Sequence, residues 1–578
     1  MRISKSIPGG FLILVLLGIL AANVLGQSPV CTYTFSAGGF SFPAAGGTAS
    51  LSITPSSNTC SWSVSGISSW IAFTSAVSGT GPGVVTFQVG ANSGGDLSGS
   101  FVIAGTTFIV EQQAATLQNL SFIGSMPHVA AEGGWHTSFT LVNKGTTSST
   151  ARLNTFLDSV PQSPVLITLP QQPSLGPIQG LSLDQTIAPN ASFLVQESGS
   201  ASVPWVVGSA QLSATTPSVD GFAIFHFDPS QQEAVVPLTL GAAGSYILAF
   251  DNTNGVATGV AVASVSTLTS SIPVIIRDDQ GNQLVTDFLQ LPANGHTSYV
   301  LAQQYPATAN VRGTIEFDAP SGAQISALGI RYTPPGTLTT IPSLSNVGTN
   351  GGYMAYLTSA AGWQTTFVLV NTGTASASAT LSFFDPTGKP LSLPLTYLQS
   401  GANTTATSLT QTLAARASLW VLTTGPSGAP LLTGSVQLTT NGNVSGYEIF
   451  RDTVTGQEAV VPIETRADSK GYILAFDNTN GTATGVAVSI ASQFANEVPV
   501  VVRDDQGNLL VTGTGFVGLQ ANGETAFNMA STFPSTANIR GTIEFDLPPN
   551  SPAGTGISVL GIRIPQSLTL TTLPPLAK

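Results

Sequence analysis

The chain has 578 residues, of which 42% are hydrophobic and only 8% are charged, and its formal net charge is −12. This composition excludes a wholly disordered chain, because disorder requires low hydrophobicity and high charge. The scarcity of Glu, Lys and Arg argues against a helical protein. An acidic chain also lacks the positive surface that nucleic acids and anionic membranes attract, so we expect neither as a partner.

The first 26 residues have the pattern of a signal peptide. Arg2 and Lys5 precede the apolar run Phe11–Leu20, which is short for a membrane span, and Val24–Gly26 predicts cleavage before Gln27. The alternative is an uncleaved N-terminal anchor. We therefore expect an exported protein that is extracellular or at the cell surface, with the periplasm as an alternative, and without a membrane span after cleavage.

The two cysteines, Cys31 and Cys60, both lie near the start of the mature chain. In an oxidising compartment an even pair predicts a disulfide. Two buried free thiols are the alternative.

The segment that follows has a distinctive order of motifs. Cys60-Ser61-Trp62 precedes Ser69-Trp70-Ile71, Asn92 comes next, and Ile103–Gln112 ends the segment. This order, over residues 31–112, resembles the BACON domain, a small bacterial β-sandwich. The resemblance implies a β-sandwich over residues 27–115. It also implies carbohydrate binding, which was proposed for that family because it often occurs beside glycan-degrading modules.

The rest of the chain is an internal duplication. Tyr246–Val262 recurs as Tyr472–Val488 with a single change, and Trp135–Asn143 matches Trp363–Asn371. A block of residues 118–345 is therefore repeated as 346–578. Fainter similarity within each block divides it again. The predicted modules are A1 (116–240), A2 (241–345), B1 (346–465) and B2 (466–578).

Short runs of β-branched and aromatic residues, separated by Asn, Asp, Gly and Pro, fill all four modules. An example is the turn Asp278–Asn282 between two apolar runs, where Gly supplies a positive φ. We predict an all-β fold of about five tandem immunoglobulin-like β-sandwich modules, the first of them BACON-like. The strand Trp363–Gly373 and the endings Ala327–Arg331 and Val559–Arg563 resemble repeat sandwiches of secreted bacterial proteins, which implies an extracellular scaffold.

No recognisable catalytic motif, such as G-x-S-x-G or a P-loop, occurs in the chain. Because the four histidines do not have metal-ligand spacing along the sequence, we expect structural or surface roles for them. They are His128, His136, His226 and His296. We predict no enzyme, no catalytic residue and no cofactor.

Two carboxylate pairs are the best candidates for acid–base chemistry. Glu316 and Asp318, like Glu544 and Asp546, lie two apart on a strand and therefore share one sheet face. The alternative, which we favour, is an exposed outer-face ion-pair cluster with Arg312 and Arg540, joined by Arg331 and Arg563 from the next strand.

Two loops could offer oxygen ligands to Ca²⁺. The candidates are Asp251 and Asn254 in the first loop, and Asp477 and Asn480 in the second. The spacing does not fit the EF-hand pattern, and an ordinary loop between strands is the alternative.

Two tryptophans are candidates for ligand contact. Trp205 and Trp420 have no counterpart in the other block, whereas the remaining four are expected to pack inside modules. Exposed aromatic rings are typical of sugar-binding surfaces.

The function predicted from the sequence is secreted, non-catalytic binding or adhesion, with carbohydrate or a cell-surface protein as the partner. A purely structural extracellular spacer is the alternative, and a hydrolase with an unrecognised site is the third hypothesis.

Overall fold

The computed structural model describes residues 31–92, 97–113, 120–158, 164–173, 177–199, 201–241, 244–334, 336–345, 351–465, 471–511, 515–547, 550–552 and 555–578. The predicted signal peptide, residues 1–26, lies outside them. The described residues form an almost entirely β structure, which confirms the predicted fold class of tandem β-sandwiches. Among them, no helix has the length and apolar character needed to cross a membrane.

The N-terminal module contains nine strands. They are β1 (Tyr33–Phe35), β2 (Gly39–Phe42), β3 (Gly47–Pro55), β4 (Ser61–Ser65), β5 (Ile71–Phe73), β6 (Ser78–Thr80), β7 (Gly83–Val89), β8 (Leu97–Ile103) and β9 (Thr106–Gln112). One sheet has the order β1-β3-β7-β5, and the second has the order β2-β9-β8-β4-β6. Strand β3 buries Ala49, Leu51 and Ile53 and exposes the residues between them, which is the alternation expected of a sheet with one covered face.

A disulfide joins the start of this module to the segment before β4. The Sγ atoms of Cys31 and Cys60 are 2.08 Å apart, with 5.7 Å between the Cα atoms. The predicted disulfide is therefore confirmed.

Module A1 contains eleven strands. They are β10 (Ser121–Ala131), β11 (Trp135–Asn143), β12 (Ser149–Leu157), β13 (Val165–Thr168), β14 (Ile178–Gly180), β15 (Ser182–Ile187), β16 (Ser192–Ser198), β17 (Val206–Ala214), β18 (Val219–Phe227), β19 (Gln232–Pro237) and β20 (Thr239–Leu240). One sheet has the order β15-β12-β17-β10-β20. The other, β19-β18-β11-β16-β13-β14, continues into β2 of the N-terminal module through parallel pairing of Ile178 with Gly39.

Module A2 contains nine strands and one short helix. They are β21 (Ser245–Asp251), β22 (Ala257–Ser264), β23 (Ser270–Asp278), β24 (Gln283–Leu291), β25 (His296–Val300), α1 (Leu301–Gln304), β26 (Arg312–Asp318), β27 (Ile325–Thr333), β28 (Thr337–Ile341) and β29 (Leu344–Ser345). A 3₁₀ turn, Pro306–Thr308, follows α1. The sheets have the orders β24-β23-β26-β21-β29 and β25-β22-β27-β28.

Module B1 contains ten strands. They are β30 (Gly351–Ser359), β31 (Trp363–Asn371), β32 (Ala377–Phe384), β33 (Leu393–Tyr397), β34 (Asn403–Ala406), β35 (Ser408–Leu413), β36 (Ser418–Thr423), β37 (Leu432–Thr440), β38 (Val444–Asp452) and β39 (Glu458–Pro462). The sheets have the orders β30-β37-β32-β35 and β34-β33-β36-β31-β38-β39.

Module B2 repeats the pattern of A2. Its elements are β40 (Gly471–Asp477), β41 (Ala483–Ala491), β42 (Asn496–Asp504), β43 (Gly515–Leu519), β44 (Glu524–Asn528), α2 (Met529–Thr532), the 3₁₀ turn Pro534–Thr536, β45 (Arg540–Asp546), β46 (Gly556–Ile564), β47 (Thr571–Leu573) and β48 (Leu576–Ala577). The sheets have the orders β43-β42-β45-β40-β48 and β44-β41-β46-β47. The residue boundaries assigned to the modules from the sequence stay a prediction.

Modules A1, A2, B1 and B2 close into a ring. Neighbours along the chain touch through side chains, as in the Ser125–Ser326 hydrogen bond of 2.8 Å between A1 and A2. The ring is closed because B2 also packs on A1, where the Arg563 guanidinium donates to the Glu233 carboxylate at 2.6 Å. One strand from each module, β19, β28, β39 and β47, meets its neighbours near the centre.

The strands that face the ring interfaces are buried on both sides. In β21, Tyr246, Leu248 and Phe250 pack inside A2, whereas Ile247 and Ala249 pack against B1. A strand covered on both faces has a continuous apolar sequence in place of an alternating one. The run Tyr246–Phe250 has this character, and its copy in β40 does the same against A1.

The hairpin turn of A2 packs against B1, and the equivalent hairpin turn of B2 packs against A1. The Asp279 carbonyl accepts from the Ser418 amide at 2.9 Å, and the Asp505 carbonyl accepts from the Ser192 amide at 3.0 Å. Gly281 has a φ of 88°, and a Cβ there would lie 2.5 Å from the Ala415 carbonyl oxygen. Glycine is therefore needed in this turn both for its conformation and for the close approach of B1.

Module B1 buries a carboxyl group without a hydrogen-bond partner among the described residues. Glu448 is fully buried opposite Phe367, and neither of its carboxyl oxygens makes a hydrogen bond. In A1 the residue opposite the corresponding phenylalanine, Phe139, is Ala223. Burial raises the pKa of Glu448 well above its ordinary value.

Replacing this group by its neutral isostere should remove a pH dependence. A raised folded-state pKa contributes stability that is complete below the unfolded pKa and is lost as the pH rises towards the folded pKa. The gain in stability of Glu448→Gln over the wild type should therefore grow between pH 5 and pH 7, by up to about 1.4 kcal/mol per pH unit. Urea unfolding at both pH values measures it. The exposed Glu111→Gln is the control, and an equal gain at both pH values would contradict the expectation.

Candidate ligand-binding site

The A2–B1 and A1–B2 interfaces are copies of each other, but different side chains fill them. At the A2–B1 interface, Trp420 of β36 is 1% exposed and packs among Ile247, Val368 and Tyr447. Trp420 lies opposite Val368, as Leu194 of A1 lies opposite Thr140. A smaller side chain thus occupies the corresponding position at the A1–B2 interface.

A cavity of about 300 Å³ lies at the A1–B2 interface. Its walls combine apolar rings with amide, hydroxyl and charged groups. The lining from A1 includes His136, Ser138, Thr140, Gln171, Phe193, Leu194, Gln196, Phe222, His226 and Glu233, and that from B2 includes Phe476, Asp477, Arg540 and Arg563. We name it the interface cavity.

A buried carboxylate holds one side of the interface cavity together. Glu233 is 3% exposed and accepts from Arg563 at 2.6 Å and from the Thr571 hydroxyl at 2.8 Å, both from B2. Its second oxygen lies 3.4 Å from Nδ1 of His226. Burial opposes ionisation here, but the His226 hydrogen bond and the Arg563 charge outweigh it and lower the pKa of Glu233.

Two imidazoles lie beside this carboxylate. His136 of β11 and His226 of β18 are directly opposite in the ladder, and their rings stack with centroids 4.7 Å apart. The exposed carboxylate of Asp228 lies 3.3 Å from Nδ1 of His136 and 3.5 Å from Nε2 of His226. We name these three residues the histidine cluster. Burial, and then the neighbouring His226, lower the pKa of His136.

The corresponding A2–B1 interface uses arginine in place of histidine. Glu458 is 1% exposed and accepts from Arg331 at 3.0 Å and from the Thr333 hydroxyl at 3.0 Å. Arg451, opposite Gln364 in the ladder, lies 3.4 Å from the other oxygen of Glu458. Gln364 and Arg451 therefore occupy the positions of His136 and His226.

The expected exposed ion-pair cluster is wrong. Glu316 is 2% exposed and is held by Arg277 at 2.6 Å and by Arg416 of B1 at 2.9 Å. Arg331 and Arg563 pair with Glu458 and Glu233 of other modules. The closed ring covers these sheet faces, so the charges neutralise each other inside the interfaces between modules. A prediction made for each module separately cannot show this.

In the second carboxylate pair, Glu544 and Asp546 share one partner. The Lys578 ammonium lies within hydrogen-bond distance of both carboxylates. One ammonium therefore offsets one of the two negative charges.

The calcium candidates occupy loops whose carboxylates already have partners. Asp251 accepts from the Thr253 amide at 3.0 Å and lies 3.3 Å from Arg312. Asn254 has a φ of 53°, as a turn residue does. The structure therefore favours the ordinary loop.

The second loop repeats this arrangement. Asp477 accepts from the Thr479 amide at 2.9 Å and lies 3.2 Å from Arg540, and Asn480 has a φ of 52°. Asp477 and Asn480 also line the interface cavity, a location that the sequence did not indicate.

The two candidate tryptophans have opposite environments. Trp205 is 61% exposed, as expected of a contact residue. The expectation for Trp420 is wrong, because its ring is buried between B1 and A2 and its indole N–H donates to the Ser418 hydroxyl at 3.2 Å. A tryptophan found in only one copy of a repeat can fill an interface as well as face solvent.

Sequence spacing does not reveal the histidine cluster, because His136 lies far along the chain from His226 and Asp228. His136 and His226 lie on neighbouring strands, and ladder register, which sequence spacing does not reveal, brings them together. One signal was available. Comparison of the two blocks shows that cavity positions change character between copies, as with Leu194 and Trp420.

No protein-family model matches the chain, and no curated protein matches it. The resemblance of the N-terminal module to the BACON domain therefore stays a prediction.

Solved structures give weak likenesses. A GH5 xyloglucanase of Bacteroides ovatus is 17% identical over 14% of this chain and 20% of that enzyme, with a TM-score of 0.13. The surface-layer protein SbsC, domains 4–9, is 9% identical over 94% of this chain and 82% of its own, with a TM-score of 0.13. SGBP-B of the B. ovatus mixed-linkage glucan utilization locus, solved in complex with a mixed-linkage heptasaccharide, is 10% identical over 73% of this chain and 98% of its own, with a TM-score of 0.09. TM-scores this low carry no argument about fold or function.

Proposed function

We propose that the protein is an exported, non-catalytic binding protein that holds a small carbohydrate in the interface cavity. The observation that supports this proposal is the cavity itself, formed between two modules that a buried Arg563–Glu233 pair locks together. Small-molecule sites are mostly preformed and apolar, with a few placed polar groups. The disulfide fits an oxidising compartment outside the cytoplasm.

The lining suits a sugar, which has hydroxyl groups at its edge and C–H groups on its faces. Phe193 and Phe222 supply apolar surface, and Gln196, Ser138 and Arg540 supply donors and acceptors. A volume of about 300 Å³ is at the small end of ligand pockets, which favours a mono- or disaccharide over a long chain.

A non-catalytic role is supported by how the charged groups are used. Glu233, the buried carboxylate of the cavity, is held by Arg563 and Thr571 and lies beside His226. A carboxylate fixed as a counter-ion in this way stabilises the interface and is a poor general base.

A cavity-filling variant tests the proposal. Leu194→Trp places at A1 the residue that B1 has at Trp420, so it should fill the cavity with a side chain the fold already accepts. Calorimetry with mono- and disaccharides on the chain starting at Gln27 should show binding that Leu194→Trp weakens at least tenfold and that Trp205→Ala retains.

Other outcomes would contradict the proposal. Binding lost in Trp205→Ala but kept in Leu194→Trp would place the site on the exposed tryptophan. No binding of any sugar would favour the structural scaffold.

A further inference from the structure

We propose that the histidine cluster, His136, His226 and Asp228, is a binding site for a divalent transition metal ion, with Zn²⁺ as the best fit. The site lies at the wall of the interface cavity and does not depend on sugar binding there.

Two of the three distances between the ligand atoms match a tetrahedral site. Zn²⁺ binds imidazole nitrogen at about 2.0–2.1 Å and carboxylate oxygen at about 2.0–2.2 Å, so neighbouring ligand atoms in a tetrahedron are about 3.3–3.5 Å apart. The carboxylate oxygen of Asp228 is 3.3 Å from Nδ1 of His136 and 3.5 Å from Nε2 of His226. One ligand atom from each of the three residues fits within a group whose members all lie within 4.8 Å of one another.

The groups around the ligands suit a metal as well. When Nε2 of His226 binds a metal, its Nδ1 carries a proton that can be donated to Glu233, 3.4 Å away. Carboxylates that orient a metal-binding imidazole in this way are a regular feature of zinc sites. Glu233 is in turn fixed by Arg563 and Thr571 of B2, so the ring closure positions the ligand.

The position of the histidine cluster leaves room for a further ligand. His136 and His226 line the cavity, and Asp228 is more than half exposed. A fourth coordination position is therefore open to water or to a ligand atom.

The other interface shows that the fold does not need these residues. Gln364 and Arg451 replace the two histidines in B1. Thr453 replaces Asp228: the Asp228 amide donates to the Gly134 carbonyl, and the Thr453 amide donates to the equivalent Gly362 carbonyl. There the Arg451 guanidinium lies beside Glu458 in the place of an imidazole. All three candidate ligands are thus specific to A1.

Metal titration of the chelator-treated chain starting at Gln27 tests the site. Calorimetry with Zn²⁺ should show one equivalent bound, and Co²⁺ should give the intense visible absorption of a tetrahedral complex. Asp228→Asn changes an exposed side chain, so it should fold normally and weaken Zn²⁺ binding about 10–100-fold. His136→Gln, which places the B1 residue in A1, should do the same.

The second histidine pair provides the control. At the A1–A2 interface, Nδ1 of His128 lies 3.3 Å from Nε2 of His296, and Nδ1 of His296 lies 2.9 Å from a carboxylate oxygen of Asp158. Zn²⁺ affinity that is unchanged in Asp228→Asn and His136→Gln, or that falls only in His296→Gln, would overturn the proposal. A chain that binds Zn²⁺ but no sugar would leave the metal site standing and contradict only the proposed carbohydrate binding.

Discussion

Trp420→Ala should lower the free energy of unfolding by about 3–5 kcal/mol, the range for truncating a large buried aromatic residue. The Trp420 ring is 1% exposed and joins B1 to A2 by packing among Ile247, Ala249 and Val368. Loss of the indole leaves a void between the two sheets, because the closed ring of four modules holds these sheets in place. Urea unfolding followed by circular dichroism measures the effect.

The chain supplies a matched control for this variant. Trp205 is 61% exposed, so Trp205→Ala should change the stability by less than about 0.5 kcal/mol. Equal stability of the two variants would show that the A2–B1 interface does not form in solution.

Glu458→Gln should cost about 3–5 kcal/mol, because it removes the nearer carboxylate partner of the buried Arg331 guanidinium. Arg331 donates to Glu458 at 3.0 Å and is itself almost fully buried, with Asp251 as its remaining carboxylate at 3.4 Å. The exposed Glu497→Gln is the control in the same unfolding assay.

A double variant separates the pair from its surroundings. Replacing both groups, as in Arg331→Met with Glu458→Met, should recover most of the loss, because apolar residues of similar volume need no counter-ion. A double variant that is less stable than Glu458→Gln by the full cost of a second substitution would contradict the pairing.

The fold within each module could be predicted from the sequence because its signals are local. The repeated turn Asp278–Asn282 carries its own geometry, since the Asp278 carboxylate accepts from the Gln280 and Asn282 amides at 3.0 Å and 2.8 Å. The Cys31–Cys60 bridge could be predicted from an even pair alone.

The ring could not be predicted in this way, because it depends on complementary faces that are far apart in the chain. Glu233 and Arg563 meet only after both modules have folded. The apolar run Tyr246–Phe250 did contain a hint, since a strand without alternation is covered on both faces. The same gap explains the error at Trp420 and the missed histidine cluster.

Small-angle X-ray scattering of the chain starting at Gln27 tests the closed ring most directly. A compact particle of this length should have a radius of gyration of about 24 Å and a pair-distance distribution with one peak. A radius of gyration roughly twice as large, with the long tail of an extended row of sandwiches, would contradict the closure of A1, A2, B1 and B2 into one body.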